Sequence, residues 1–124
     1  MTEWFTRPVL HVADVAASVA FFVEKLGFSS PWHYDEDGKP VVAQVERQGC
    51  AAILSSQWPA KRGTAMLFVS LTAIENTPES QTIALDQLRA ELGANVAIRE
   101  ADWGYRCLVI DDPDGNQIYF NYPD

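Results

Sequence analysis

Apolar residues recur at helical spacing in two stretches of the chain. In the first, Val15, Val19, Phe22 and Leu26 follow one another at steps of four, three and four, which places them on one helical face. Asp14 can cap the start of this helix, and Gly27 can take the left-handed conformation past its end. In the second, Leu85, Leu88 and Leu92 make the same stripe, with Thr77 as the cap, Pro78 in the first turn and Gly93 at the end. The pattern predicts helices near 15–26 and 79–92.

Between and around these helices the apolar spacing changes to that of strands. Pro8–Val12 precedes the first helix, and Phe28–Tyr34, Val41–Arg47 and Ala51–Ser55 follow it, with turn signals at Asp37-Gly38 and Gln48-Gly49. Ala65–Leu71 precedes the second helix. Asn95–Arg99, Tyr105–Asp111 and Gln117–Tyr122 follow it, and Pro113-Asp114-Gly115-Asn116 supplies the last turn. The order is strand, helix and three strands, twice over, and the two helix endings, Phe22-Val-Glu-Lys-Leu-Gly27 and Leu88-Arg-Ala-Glu-Leu-Gly93, are alike. The expectation is one α+β domain spanning 1–124. It would be made of two βαβββ modules, about 1–57 and 64–124, with a linker at 56–63. One face of each sheet would pack on its helix, and the two other faces would together line a cup suited to a small ligand.

Composition narrows the function classes. Nine Lys and Arg stand against seventeen Asp and Glu, a net charge of −8, which opposes nucleic-acid binding. Such acidity suits a cationic small molecule or, more plainly, solubility. The acids Asp35, Glu36, Asp37, Asp111, Asp112 and Asp114 fall in turn-like stretches, which fits the plainer reading. No apolar run approaches the roughly 20 residues of a membrane span, and the first residues do not read as a signal peptide. Cys50 and Cys107 have no metal-site or redox-motif spacing, so reduced thiols in a cytoplasmic protein are expected. Ser55, Ser56 and Cys107 lack any nucleophile motif, and no phosphate-cradling glycine loop is present.

Two segments carry a resemblance. The run from Pro8 through His11, Asp14 and Phe21 to Lys25-Leu-Gly-Phe28, and the run from Asp102-Trp-Gly through Asp111-Asp-Pro-Asp-Gly-Asn116 to Phe120, resemble the opening and closing segments of the vicinal-oxygen-chelate superfamily. That superfamily comprises glyoxalase, bleomycin-resistance and extradiol-dioxygenase proteins. The resemblance spans essentially the whole chain and implies paired βαβββ modules, a homodimer and a ligand site in the cup. Catalytic members hold a divalent metal as a Lewis acid, with His, Glu or Gln ligands from the first and last strand of each module.

Carried over one at a time, those positions offer no such set here. The first falls at Arg7, a cation with no lone pair to give. The second reaches only Ser55, the strand Ala65–Leu71 has no His, Glu or Gln, and the last is Tyr119 where metal-binding members have Glu. His11 and His33 remain as displaced ligands, although a lone strand histidine is more often a hydrogen-bonded side chain. The resemblance therefore favours the metal-free bleomycin-resistance type: no cofactor, no metal, and a sequestered aromatic or cationic compound. The alternative is a metal-dependent lyase or dioxygenase. The candidate ligand-binding residues are Trp32, Tyr34, Trp58, Trp103, Tyr105 and Tyr119, whose rings can stack on flat groups and attract cations. Arg106 can equally be solvated or clamp an anion. Partners are a small molecule and a second copy, with no nucleic acid and no membrane.

Overall fold

In the computed structural model the described residues are 1–71, 77–102, 104 and 106–123. The order read from the sequence holds: β1 (Val9–His11), α1 (Val15–Ala20), β2 (His33–Glu36), β3 (Lys39–Arg47), β4 (Cys50–Ser55), then β5 (Met66–Val69), α2 (Pro78–Leu92), β6 (Arg99–Asp102), β7 (Arg106–Asp111) and β8 (Gln117–Asn121). The strands form two four-stranded sheets, in the orders β1-β4-β3-β2 and β5-β8-β7-β6, each with its first strand parallel to its last and its other pairs antiparallel. By contacts the chain divides into two units, residues 1–65 with 113–116 and residues 66–112 with 117–124.

In the first unit, Asp14 accepts from the Ala17 N–H and starts α1. The helix runs on as a π-helical turn at Phe21–Lys25. The buried stripe is Val15, Ser18, Phe22 and Leu26, so Ser18 stands inside where Val19 was expected. Two successive steps of four overrun a 3.6-residue turn, and the wider π turn takes up the excess. Gly27 ends the helix at φ +73, the Phe28 N–H bonds the Phe22 carbonyl, and Arg47 donates to the Leu26 carbonyl at 2.9 Å. Register puts Leu10, Leu54 and Ala43 in one row, and these buried residues form the face that α1 covers.

The Asp-Pro-Asp-Gly-Asn turn packs within this same unit. Asp114 Oδ1 accepts from the Ala13 N–H at 2.9 Å, and Asn116 donates to the His11 carbonyl while accepting from the Ala65 N–H. Two acids expected to be solvated are therefore not: Asp114 is nearly enclosed and Asp112 is buried. Asp35 and Glu36 also differ from expectation, lying in β2 and not in a turn.

In the second unit, Thr77 and Ser80 cap α2 reciprocally. Leu85 and Leu92 are buried from the helix side, and Leu108, Ile110, Ile118 and Phe120 share one face of the sheet by register. Tyr122 donates to Asp86 at 3.0 Å, and Arg89 meets Glu100 at 2.6 Å, tying α2 to that face. Gly93 closes α2 in a right-handed conformation, its N–H on the Arg89 carbonyl. Two strands lie later than their apolar runs suggested. Of the expected Phe28–Tyr34, His33 and Tyr34 fall in β2 (His33–Glu36) and Ser29 makes an isolated bridge to Glu46, and of the expected Asn95–Arg99 only Arg99 falls in β6 (Arg99–Asp102). No helix of the described residues is long and apolar enough to cross a membrane.

Candidate functional site

Each sheet has one face that its helix does not cover. On the first sheet, the rows Val9–Ile53–Gln44 and His11–Ser55–Val42–Tyr34 define that face by register. Trp32 joins it: its carbonyl accepts from the Gln44 N–H, and its indole Nε1 donates to Gln44 Oε1 at 3.0 Å. Trp32 and Tyr34 are 40% and 57% exposed, so both keep ring surface available to a ligand. Trp32 and Tyr34 thus lie on one face of the sheet.

Gln44 organises this face. It is buried in the central strand β3, and its Oε1 accepts from both Trp32 and the Arg7 guanidinium, the latter at 2.9 Å. Its Nε2 reaches Glu46 Oε2 at 3.4 Å. A buried amide with both ends engaged is costly to rearrange, so it fixes the ring of Trp32 and the head of Arg7 together. Sequence reasoning missed Gln44. The available signal was polar residues at Gln44 and Glu46 alternating with Ala43 and Val45 on a strand too long to be all edge.

At the other end of the face, Trp58 lies against His11, ring centroids 6.0 Å apart and edge-on. The Lys61 ammonium lies 5.8 Å from the Trp58 ring centroid. Trp58 remains 56% exposed. The 56–63 segment that carries it includes a 3-10 turn at Pro59–Lys61, and its end is pinned where the Gly63 N–H bonds the His11 carbonyl. His11 Nδ1 is buried with no hydrogen-bond partner among the described residues. Such an atom costs about 1–3 kcal/mol unless something binds it.

On the second sheet, the face away from α2 carries Met66, Phe68, Tyr119, Gln117, Val109 and Cys107. Tyr119 is only 8% exposed, stacked under Phe68 with centroids 5.8 Å apart, and clusters with Cys107 and Val109. Phe68, exposed and unforeseen, is the ring that this face presents. Arg106 turns to the helix side, its guanidinium 3.8 Å from the Tyr122 ring centroid, so the anion-clamp option for it is not supported. Trp103 and Tyr105 lie outside the described residues. Burial raises the Cys107 and Cys50 thiols above their ordinary pKa, with Asp102 adding to the effect at Cys107, which keeps both protonated at neutral pH.

The superfamily's divalent metal does not fit the residues present. Arg7 is bonded to Gln44, Ser55 accepts from the Gln57 N–H, and Tyr119 donates to Gln117. Among the described residues no three His, Cys, Asp or Glu side chains come together to hold a metal ion. His11 and His33 also fall on opposite faces, because His33 pairs with Ala43 in the helix-covered row. His33 is engaged with Asp35 at 2.6 Å.

A family model described as glyoxalase superfamily protein matches residues 4–123. No curated protein has a matching sequence. Among solved structures, the bleomycin-binding protein of bleomycin-producing Streptomyces verticillus, complexed with copper(II)-bleomycin, aligns over 100% of both chains at 22% identity and a TM-score of 0.69. An antibiotic-binding protein from a Streptomyces species aligns over 100% of both chains at 20% identity and a TM-score of 0.62. A glyoxalase/bleomycin resistance protein of Catenulispora acidiphila covers 98% of this chain and 100% of its own, at 20% identity and a TM-score of 0.64.

Proposed function

We propose that this chain, which belongs to the glyoxalase superfamily, is a cytoplasmic, homodimeric protein that binds and sequesters a flat, aromatic small molecule without a metal. The observation that carries the reading is the Arg7–Gln44–Trp32 network. At the position where the superfamily's first ligand would stand, a fixed cation is bonded to a buried amide that also orients an exposed indole. The likeness to a bleomycin-binding and an antibiotic-binding protein supports a binding task over a catalytic one. In this reading Trp32, Tyr34 and Trp58 hold the ligand from the first sheet. Trp103 and Tyr105 are further proposed contacts, whereas Tyr119 is buried under Phe68 and presents no ring face to a ligand.

The test is a thermal-shift screen of aromatic natural products against protein dialysed with and without chelator. A ligand at a hundred times its dissociation constant adds about 2.7 kcal/mol of stability. The reading expects at least one such ligand, bound equally well after chelation. A ligand whose binding needs an added divalent metal would favour the second reading, a lyase or dioxygenase. The unpartnered Nδ1 of His11 is the one observation in favour of that alternative.

A further inference from the structure

The net charge of −8 suggests a cationic ligand, but charge matters where the ligand sits. Among the described residues, at least four of the seventeen acids are engaged with partners elsewhere. Asp35 pairs with His33, Glu100 with Arg89, Asp111 with Arg99, and Asp114 with the Ala13 N–H and Arg62. Three arginines, Arg62, Arg89 and Arg99, have a carboxylate within ion-pair distance. Arg7 has no carboxylate partner among the described residues. Its one hydrogen bond there goes to a neutral amide, Gln44, and Phe5 lies 5.5 Å from its guanidinium.

We infer that Arg7 is the anchor for an oxyanion on the ligand, so that the compound bound is an aromatic acid and not a cation. The inference rests on the proposed function, since it names the ligand class of that same face. A guanidinium has five N–H donors in a rigid fork, and Gln44 takes one at Nη1, leaving the fork able to grip a carboxylate or sulfonate. Gln44 Oε1 holds Arg7 and the Trp32 indole within 3.0 Å of one oxygen, so a flat ring stacked on Trp32 would carry its acid group to Arg7. Glu46 is the opposing charge on this face. Its Oε2 lies 3.4 Å from the Gln44 amide nitrogen, which draws it toward a donor on the far side of Gln44 from the Arg7 contact. At the other end of the face the Lys61 ammonium beside Trp58 again adds positive charge.

The experiment uses three probes with one ring system: 2-naphthoate, 2-naphthamide and 2-naphthylmethylammonium, titrated calorimetrically at low salt into the full chain. Naphthoate is expected to bind about tenfold more tightly than naphthamide, the scale of one charge-assisted hydrogen bond partly screened by solvent. The ammonium probe is expected to bind most weakly, and raised salt should cut the naphthoate preference. In Arg7→Gln the naphthoate-to-naphthamide ratio should fall toward one, and in Arg7→Lys much of it should return. Thermal unfolding of each variant confirms that it is folded. Equal binding of naphthoate and naphthamide, or a preference for the ammonium, overturns the acid inference and leaves the aromatic site standing. A naphthoate preference that survives in Arg7→Gln overturns the assignment to Arg7. No binding of any probe overturns both the inference and the proposed site.

Discussion

Gly63 shows how a single backbone position holds the site in place. Its φ is +73, and a Cβ there would lie 2.1 Å from the Asp114 carbonyl oxygen, a backbone atom with no freedom to swing away. The left-handed conformation alone costs a residue with a side chain about 1–2 kcal/mol, and the clash adds to it. Gly63→Ala is therefore expected to lower the melting temperature by at least several degrees, read by circular dichroism. It should also loosen the 56–63 segment and move Trp58 off His11, visible as a change in tryptophan emission. Cysteine chemistry gives a second check at this scale. Cys107 is fully buried and Cys50 half-buried, and burial raises both thiols. In the native protein, thiol titration should modify Cys50 first and Cys107 only on unfolding, with both slower than a free thiol.

At the scale of elements, the sequence made the helices plain and two strands obscure, for one physical reason. Helix ends carry their own chemistry: Asp14, Thr77, Pro78 and Gly27 each act as the residue type suggested. Edge strands carry the opposite signal. β2 reads His-Tyr-Asp-Glu and β6 reads Arg-Glu-Ala-Asp, charged sequences that discourage pairing with another chain and hide the apolar alternation of a strand. The apolar residues just before them drew the expected boundaries too early. The candidate site was legible as its rings, Trp32, Tyr34 and Trp58, but not as the buried amide that orients them. The alternation of Gln44 and Glu46 with Ala43 and Val45 marks a polar face of β3, but not that Gln44 is buried and bonded to Trp32 and Arg7.

The same β6 supports a pH prediction through its contact with α2. The Arg89 guanidinium beside Glu100 holds that carboxyl below its ordinary value. A carboxyl whose folded pKa is depressed stabilises the fold above its unfolded value and loses that contribution as pH falls through the folded one. Glu100→Gln should therefore be less stable than wild type near neutral pH and indistinguishable from it in strong acid. Because the pair is exposed, the gap should be small and shrink with salt, which melting curves at two pH values and two salt concentrations would check.

For the whole molecule, the proposed dimer and the proposed site meet in one prediction about Trp103. β1 and β5 are end strands of their sheets, and Val9, Met66 and Phe68 on them are exposed apolar side chains. Association would cover such edges, so light scattering should give twice the chain mass at micromolar concentration. Trp103 stands between β6 and the start of β7, in a segment that resembles the superfamily's closing hairpin. If it stacks on the ligand, its removal should cost what ring truncation costs in comparable stacking, about 1–3 kcal/mol, or roughly five- to 150-fold in affinity. Trp32→Ala should lose a similar amount and also leave Gln44 Oε1 with the Arg7 guanidinium but without the indole donor. Titrating both variants with one ligand at fixed salt separates the roles. Equal losses would place both rings on the ligand. A loss for Trp32→Ala alone would confine the site to the first sheet, and Trp103 would then be a packing residue whose substitution lowers stability without changing affinity.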